Sequence, residues 1–550
     1  WLGSRDCGRR ALGPSCLQAQ SQAWLWPSQD MPWAPSGRTC STWLSWGPTS
    51  QLSSVTPPRL SRLTTAQPSA SGFCLADYTA VGFDLDNTLA RYRLPALFEL
   101  IHGSVREHLD KGASRRADGS IWPSARGFSQ RGLLLDKKRG LLVKFDAGGK
   151  VDRAFKGFMR LSDAENMVDL IGFRHGSVDA PTKGDVTDVP VHSPSCAHNF
   201  VPEREAGALG LAVSSVKSFY KFVFSPHAVL VAQLDREYAG LEFQRDLRPS
   251  QEWFNFADFF TTPTQALYAD MVARAKTEAS AEPLWHDLLG GIVRFYRPDG
   301  PRARTLLQTP SELVRPCPKS VMAWIQRLRE AGTWTFLLTG SEPGLAVAIA
   351  AHALGPQWQD LFDLVVMGAN KPAFFGDTSA SFKVVRDDGS LRALGHDEDL
   401  RQGVIYCGGN WAALCERWLG SRRTLYIGDS LVDDTVAAQG CCDSVAIVEE
   451  LAAEATLEDP EPSGLEGAQY LLSESWGSVF ASMQGPTYFT KALCGAAKLA
   501  VADLLQLTKL PQSAKVPAFD GQVSTCGFYP SPPKSLVAVL TQSSENGGEN

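Results

Sequence analysis

The sequence predicts an α/β protein with a Rossmann-like, doubly wound parallel sheet and a large cap domain inserted into it. Short apolar runs alternate with amphipathic helical segments, which is the pattern of βαβ units. About 245 residues separate the first apolar run from the second. One crossover connection needs far fewer, so the intervening chain should fold as a unit of its own. With 44% hydrophobic residues, the chain can bury a core in both parts.

Four runs predict strands of the core sheet, because each is short, apolar and bounded by polar residues. They are Thr79–Phe83, Thr333–Leu338, Leu361–Met367 and Arg423–Ile427. The segment Ser320–Ala331, just before the second run, has apolar residues at helical spacing and predicts a helix. Ligands of parallel sheets bind beyond the carboxyl ends of the strands, so the polar residues after each run are the candidates for function.

These features divide the chain into five segments. They are an N-terminal extension (1–75), the first part of the core (76–100), the inserted cap (101–318), the second part of the core (319–453), and a linker with a C-terminal extension (454–550). Within the insertion, residues 227–240 and 265–276 have helical patterns, and residues 172–205 are typical of a long exposed loop.

Residues 1–75 differ in composition from the rest of the chain. They contain six tryptophans and thirteen serines but no lysine or glutamate, and they show neither helical nor strand periodicity. We interpret them as a disordered extension, or as an upstream stretch wrongly joined to the coding sequence. A targeting arm for an organelle is the alternative, because the segment is rich in arginine and serine and poor in acids.

Charge and composition exclude several classes of protein. The net charge of −6 has the wrong sign for a protein that binds nucleic acid by neutralising phosphates. The longest apolar run, Leu345–Leu354, contains His352 and is shorter than the roughly 18–20 residues that cross a bilayer. The twelve cysteines are scattered and form no CxxC pair, which is typical of a reducing compartment. We therefore expect a cytoplasmic protein.

Two carboxylates follow the first run, in the sequence Asp84-Leu85-Asp86-Asn87-Thr88. If the backbone stays extended there, Asp84 and Asp86 point to the same side. Two carboxylates so close repel each other unless a cation lies between them or one is protonated. Mg²⁺ is a divalent cation that prefers oxygen ligands. The alternative is an ordinary helix N-cap, where Asp and Asn are also common.

The other three runs are also followed by polar groups suited to phosphate chemistry. Thr339-Gly340-Ser341 can donate hydroxyl and amide hydrogens to an anion. Lys371 can neutralise a phosphate and a carboxylate together. Asp429, with Asp433 and Asp434, can complete a cation site. Each group alone also fits a helix cap or a solvated surface, but their common order and strand-end placement favour one site.

The four motif sequences carry a resemblance. FDLDNTL (83–89), FLLTGS (336–341), NKPAFF (370–375) and YIGDSLVDD (426–434) resemble the four motifs of the haloacid-dehalogenase superfamily of phosphotransferases. The Lys-Pro-x-Phe-Phe form of the third motif and the long insertion are similar to the cytosolic purine 5′-nucleotidase group. The resemblance runs patchily from about residue 77 to 545 and leaves out the N-terminal extension.

The resemblance implies a role for the acidic residues. Asp84 is the nucleophile that forms an aspartyl-phosphate, and Asp86 is the general acid and then the general base. Mg²⁺ is held by the Asp84 carboxylate, the Asp86 backbone carbonyl, Asp429 and a second acid of the fourth motif. The spacing in the group favours Asp434 as this second acid, with Asp433 as the alternative.

The resemblance also implies how the substrate is bound. Thr339 and the amides of Gly340 and Ser341 bind phosphate oxygens, while Lys371 offsets negative charge. Phe224 lies where the group has a phenylalanine that stacks on the base, although the residues after it depart from the pattern. A plain core aromatic is the alternative for Phe224.

We therefore expect a Mg²⁺-dependent phosphomonoesterase that acts on nucleoside 5′-monophosphates. One alternative is the same chemistry on a sugar phosphate or another small phosphomonoester. The other is a catalytically weak protein that keeps the fold and serves as a binding or scaffolding protein. The expected partner is a small phosphomonoester, not a nucleic acid or a membrane, and a homo-oligomer is compatible with the resemblance.

Overall fold

The computed structural model describes residues 72–112, 121–161, 234, 235, 238, 252–275, 281–395, 397–454 and 467–546. Phe224, the predicted loop 172–205, most of the predicted helix 227–240 and residues 1–71 of the N-terminal extension lie outside these residues. Within the described part of the chain, every helix is too short or too polar to span a bilayer.

A mixed ten-stranded sheet lies at the centre of the fold. The strands of this sheet and of the rest of the described chain are, in chain order, β1 (Gly72–Cys74), β2 (Ala80–Phe83), β3 (Leu133–Asp136), β4 (Leu141–Phe145), β5 (Val151–Lys156), β6 (Met159–Arg160), β7 (Trp253–Phe256), β8 (Trp334–Leu338), β9 (Leu364–Met367), β10 (Phe382–Val385), β11 (Leu391–Ala393), β12 (Ile405–Gly408), β13 (Thr424–Gly428), β14 (Asp443–Ile447), β15 (Leu499–Val501), β16 (Lys515–Pro517) and β17 (Phe528–Tyr529). The order in the central sheet is β11-β10-β12-β9-β8-β2-β13-β14-β15-β17. From β12 to β17 every neighbouring pair is parallel, and only the edge strands β10 and β11 pair antiparallel. The predicted α/β class with parallel strands is therefore confirmed.

The four predicted core strands correspond to β2, β8, β9 and β13. The third strand is shorter than its apolar run, because Trp358–Leu361 forms a turn of 3-10 helix and β9 begins only at Leu364. Asp363 lies between these two elements. Its carboxylate accepts a hydrogen bond from the Thr335 amide (2.9 Å) and pairs with Arg329 (2.7 Å). This polar residue ends the turn and positions the start of the strand.

Both faces of the parallel sheet are buried, which explains why its strands are continuously apolar in sequence. On β8, Leu337 packs into the hydrophobic core on one face, while Phe336 and Leu338 pack into a second core on the other face. On β13, Ile427 and Tyr426 divide between the same two cores. The alternation follows from the two-residue period of a strand.

Helices cover these faces and connect the strands. The helices formed by the described residues are α1 (Leu94–Leu109), α2 (Gln265–Arg274), α3 (Glu282–Tyr296), α4 (Pro301–Gln308), α5 (Pro310–Leu313), α6 (Lys319–Glu330), α7 (Pro343–Leu354), α8 (Ala373–Gly376), α9 (Trp411–Leu414), α10 (Leu451–Glu454), α11 (Ala468–Leu471), α12 (Tyr488–Ala496), α13 (Leu504–Lys509) and α14 (Lys534–Asn546), with 3-10 turns at Leu75–Asp77 and Thr262–Thr264 and π-helical turns at Cys415–Leu419 and Leu431–Val436. Helices α2 and α6 confirm the helical patterns seen at 265–276 and 320–331.

The described residues between β2 and β8 form a second sheet and the helices α1 to α6. The second sheet is antiparallel, with the order β6-β5-β4-β3-β7. Its two faces pack in different cores: Leu133 and Leu135 share a core with Leu337 of the central sheet, and Leu134 shares one with Phe480. The region after residue 467 also adds β15 and β17 to the central sheet. The inserted and C-terminal residues are thus packed against the central sheet.

Candidate active site

The carboxyl ends of the adjacent strands β9, β8, β2 and β13 bring the predicted functional residues together. Thr339, Asp84 and Asp429 directly follow β8, β2 and β13, and Lys371 lies four residues after the end of β9. The strand ends are tied to one another: the Asp84 amide donates to the carbonyl of Ile427 (2.8 Å), and the Thr339 amide donates to the carbonyl of Val366 (3.0 Å). Because parallel strands end at the same edge, loops that are far apart in sequence meet here.

The ammonium group of Lys371 lies between two of the carboxylates. Its Nζ donates to Oδ1 of Asp434 (2.5 Å), to Oδ1 of Asp84 (2.9 Å) and to the hydroxyl of Tyr426 (3.1 Å). Tyr426 in turn donates to the carbonyl of Leu338 (2.8 Å), so its hydroxyl is fixed in place. The Lys371 side chain is only 7% exposed, and solvent therefore screens these ion pairs weakly.

Three carboxylates form one cluster. Asp84, Asp429 and Asp434 each offer an oxygen, and these oxygens all lie within 4.8 Å of one another. Asp434 fits into the cluster because Gly428 has no side chain: a Cβ on Gly428 would lie 2.3 Å from Oδ2 of Asp434. The Ser430 amide donates to that same Oδ2 (3.0 Å) and orients the carboxylate.

Asp433, the neighbour of Asp434, has a different environment. Its amide donates to the Ser430 hydroxyl (3.0 Å), which caps the π-helical turn after β13. Within the described chain, its carboxylate is not part of the cluster that Asp84 and Asp429 form. Of the two acids that the fourth motif offers, Asp434 is the one that lies beside Asp84 and Asp429.

Burial controls the charges of this cluster. Burial raises the pKa of Asp84 to about 7, although the Lys371 ammonium acts in the opposite direction. Burial, followed by the charges of Asp84 and Asp434, raises the pKa of Asp429 well above its usual value. For Lys371, burial alone would lower the pKa, but the carboxylates of Asp434 and Asp84 outweigh burial and raise it well above its usual range. The lysine stays protonated, and the two perturbed carboxyl groups gain from any further positive charge.

The cluster has the chemistry of a divalent-cation site. Carboxylate oxygens are the ligands that Mg²⁺ prefers, and here three carboxylates from two loops share one small volume. A cation among them would offset the mutual repulsion that contributes to the raised pKa of Asp429. The residues present therefore fit Mg²⁺, with Asp84, Asp429 and Asp434 as the carboxylates that could hold it.

Asp86 points into a network of hydrogen bonds. Its Oδ1 accepts from the hydroxyl of Tyr92 (2.7 Å) and from Nη2 of Arg302 (3.3 Å), and its Oδ2 accepts from the hydroxyl of Ser341 (2.5 Å). The same Nη2 of Arg302 donates to Oγ of Ser341 (3.1 Å). The carboxylate of Asp86 is thus held at both oxygens.

The loop after β8 is buried beside Lys371. Thr339 is 1% exposed, and its Oγ1 accepts from the amide of Ser341 (3.2 Å). Gly340 lies against the lysine, since a Cβ on it would be 4.0 Å from Cε of Lys371 and 3.4 Å from the carbonyl oxygen of Ala369. In this structure the hydroxyl of Ser341 is engaged with Asp86, while Thr339 and Gly340 border the ammonium group.

Several residues that complete the site were not predicted from the sequence. Arg302 and Arg131 both belong to the insertion, where no motif marks them. Arg131 is buried in an ion pair with Glu450 and donates to the carbonyl of Asp429 (3.4 Å). Tyr426 could have been identified, since it carries the only hydroxyl in the apolar part of the fourth run, Leu425–Ile427. Phe224, the predicted stacking residue, lies outside the described residues.

Comparisons with known proteins point to one family. A model of the 5′ nucleotidase family matches residues 72–171 and 231–464, which is more than half of the chain. The chain is 26% identical over 508 residues to 5′-nucleotidase domain-containing protein 1 of Bos taurus, covering 85% of this chain and 98% of that protein. It is 26% identical over 515 residues to the protein of the same name from Homo sapiens, covering 86% and 99%. It is also 25% identical over 397 residues to human 5′-nucleotidase domain-containing protein 2, covering 70% of this chain and 63% of that protein.

Proposed function

The chain belongs to the 5′ nucleotidase family, and we propose that it is a Mg²⁺-dependent phosphomonoester hydrolase that removes the 5′-phosphate of nucleoside monophosphates. The observation that carries this proposal is the meeting of the Asp84, Asp429 and Asp434 carboxylates with the Lys371 ammonium at one edge of the sheet. The names of the similar proteins support a nucleotide as the substrate. We also propose that the core is of the haloacid-dehalogenase type and that residues 101–318 act as its cap.

In the first chemical step of this proposal, a carboxylate oxygen of Asp84 attacks the phosphorus atom. A bond forms between that oxygen and phosphorus, and the bond from phosphorus to the 5′-oxygen of the nucleoside breaks. Asp86, acting as a carboxylic acid, gives its proton to the leaving oxygen. The products of this step are the nucleoside and an aspartyl-phosphate on Asp84.

In the second step, water attacks the phosphorus atom of the aspartyl-phosphate. The Asp86 carboxylate accepts a proton from this water, and the bond between phosphorus and the Asp84 oxygen breaks. Inorganic phosphate leaves, and Asp84 and Asp86 return to their starting forms. In the transition state negative charge spreads over the oxygens of the transferred phosphoryl group, so catalysis depends on positioning and on electrostatic stabilisation.

The remaining residues of the site supply these electrostatics. Lys371 already contacts Asp84 and Asp434, and it would offset the negative charge that builds on the transferred group. Mg²⁺, held by the carboxylates of Asp84, Asp429 and Asp434 and by the backbone carbonyl of Asp86, would neutralise charge on the phosphate oxygens. Thr339 and Gly340 line the same edge and would orient those oxygens. Base stacking on Phe224 stays a prediction.

The test is phosphate release from a panel of nucleoside 5′-monophosphates and sugar phosphates, with and without Mg²⁺. We expect hydrolysis that requires Mg²⁺ and that prefers a nucleoside monophosphate by about tenfold or more, which corresponds to about 1.4 kcal/mol of discrimination. Asp84→Asn should abolish turnover. Asp443→Asn is the matched control, because Asp443 is a partly buried carboxylate at the opposite, amino end of the sheet, bonded to the Tyr78 hydroxyl.

The outcomes separate the competing functions. If the protein prefers sugar phosphates and Asp84→Asn abolishes this hydrolysis, the proposed chemistry is supported with a different substrate. A weak background that needs no Mg²⁺ and is unchanged in Asp84→Asn would identify a binding or scaffolding protein instead. Melting temperatures of both variants show whether a loss of activity reflects a loss of folding.

A further inference from the structure

Arg302 reaches from the insertion to the residue that the proposed function uses as general acid and base. It is the second residue of α4, and it is only 9% exposed. Its Nη2 lies 3.3 Å from Oδ1 of Asp86 and 3.1 Å from Oγ of Ser341. The separation in sequence between Arg302 and Asp86 is 216 residues, so only the docking of the insertion brings them together.

The position of the guanidinium is fixed by its surroundings. Its Cζ lies 5.5 Å from the ring centroid of Phe260 and 5.6 Å from that of Tyr296, within the range of cation–π contacts. The start of α4 is held tightly against the end of α3, because Gly300 lies so close to it that a Cβ would be 2.5 Å from the carbonyl oxygen of Arg294. Aromatic contacts and helix packing therefore aim Arg302 at Asp86.

Three donors together fix the plane of the Asp86 carboxylate. Tyr92 and Arg302 donate to Oδ1, and Ser341 donates to Oδ2 while accepting from Arg302. The Arg302, Asp86 and Ser341 side chains thus form a closed triangle of hydrogen bonds. Bonds to charged groups are stronger than those between neutral groups, so this triangle restrains rotation of the carboxyl group.

We propose that Arg302 is a positioning residue for Asp86, which it holds in the orientation needed to give a proton to the leaving oxygen. This inference rests on the proposed function. In this role Arg302 acts through its hydrogen bonds to Asp86 and Ser341. Because Arg302 belongs to the insertion, the acid of the site is in place only when the insertion is docked on the sheet.

The inference predicts a dependence on the leaving group. A nucleoside leaves as an alkoxide, which is a poor leaving group and needs the proton from Asp86. The p-nitrophenyl group leaves as a stable phenolate and needs little proton donation. General acid catalysis contributes about 10²–10⁴-fold where it is needed. Misplacing Asp86 should therefore slow the first step for nucleoside monophosphates much more than for p-nitrophenyl phosphate.

The experiment compares kcat/KM for a nucleoside monophosphate and for p-nitrophenyl phosphate, since kcat/KM reports the steps up to the first release of the leaving group. For Arg302→Met we expect kcat/KM to fall by about 10–100-fold for the nucleoside monophosphate and by less than about threefold for p-nitrophenyl phosphate. The larger loss is only part of the full effect of the acid, because Asp86 itself is still present. Arg302→Lys should recover part of the loss, because an ammonium can still reach one of the two acceptors. Tyr92→Phe should show the same pattern with a smaller loss, and it keeps the inference testable if Arg302→Met does not fold.

Arg329→Met is the matched control. Arg329 pairs with Asp363 (2.7 Å) at the amino end of β9, on the far side of the sheet from the site, and its loss should leave the ratio of the two substrates unchanged. Equal losses on both substrates in Arg302→Met and Tyr92→Phe would overturn the inference, because they would indicate a purely structural role. No loss on either substrate would also overturn it. If the wild-type protein hydrolyses neither substrate, the proposed function fails and this inference fails with it.

Discussion

Gly428→Ala tests whether Asp434 occupies its position because Gly428 has no side chain. The new Cβ would lie 2.3 Å from Oδ2, 2.4 Å from Cγ and 2.6 Å from Cβ of Asp434. Contacts this short force the Asp434 side chain to move by about 1 Å, because overpacked groups in a dense core must shift. The move would break its bonds to Lys371 (2.5 Å) and to the Ser430 amide (3.0 Å).

The expected magnitudes follow from these contacts. Overpacking costs typically 1–3 kcal/mol, so we expect the free energy of unfolding to fall by about 2 kcal/mol. A misplacement of about 1 Å at a reacting centre can cost about 10²-fold in rate, and we expect hydrolysis to fall by about that factor. Urea unfolding measures the first quantity, and steady-state phosphate release at saturating Mg²⁺ measures the second.

Gly103→Ala is the control for the added methyl group. Gly103 lies inside α1, and a Cβ there would meet nothing within 4 Å. Alanine is the better helix former, so this variant should be as stable as the parent or more stable by up to about 1 kcal/mol, with unchanged hydrolysis. If Gly428→Ala kept both its stability and its rate, Asp434 could not be held as the structure indicates.

Three further predictions concern the charges of the cluster. Lys371→Met removes the ammonium that contacts Asp84 and Asp434, so we expect kcat/KM to fall by about 10²–10³-fold in steady-state assays. An unchanged kcat/KM would refute the proposed role of this lysine in offsetting negative charge. Asp434→Asn should weaken Mg²⁺ binding by about 10–100-fold in calorimetric titrations, whereas Asp433→Asn should change this affinity little. An equal loss of Mg²⁺ affinity in both variants would contradict the geometry of the cluster. Since burial raises the pKa of Asp84 to about 7, the folded protein keeps a proton on Asp84 between about pH 4 and 7 that the unfolded protein has lost. The contribution of Asp84 to the stability of the metal-free protein should therefore fall as the pH rises from about 4 through 7. Because Mg²⁺ binds the ionised carboxylate, it should raise the melting temperature more at pH 8 than at pH 5.5. An equal rise at both pH values would argue against carboxylate ligands.

The core strands were predictable because a strand that is buried on both faces forms an almost continuous apolar run in the sequence. The strands β2, β8 and β13 are continuous apolar runs, and each is followed at once by a polar residue of the site. The meeting of those residues follows from the rule that ligands bind at the carboxyl ends of parallel strands. The strands β15 and β17 were not predicted, because runs of three and two residues are too short for periodicity to show.

The spacing of the fourth motif favours Asp434 over Asp433, and the folded turn supplies the physical reason for this choice. The backbone turns at Ser430, whose hydroxyl accepts from the Asp433 amide and whose own amide donates to the Asp434 carboxylate. This turn sends the two neighbouring side chains in different directions. The space for Asp434 comes from Gly428, six residues earlier. A sequence motif records these residue types, but their mutual placement is a property of the folded turn.

The arginines of the insertion could not be found from the sequence for a different reason. Arg131 and Arg302 each reach a loop of the central sheet through long-range contacts, one at the Asp429 carbonyl and one at the Asp86 carboxylate. Each is also paired with a buried acid, Glu450 or Asp86, and removing one partner of such a pair leaves an uncompensated charge. The hydrogen bond of Arg131 to the Asp429 carbonyl and the ion pair of Arg302 with Asp86 therefore join the insertion to the two loops that carry Asp429 and Asp86. A substitution of Arg131 or Arg302 can thereby disturb the proposed metal ligand or the proposed acid, although both arginines lie outside every motif.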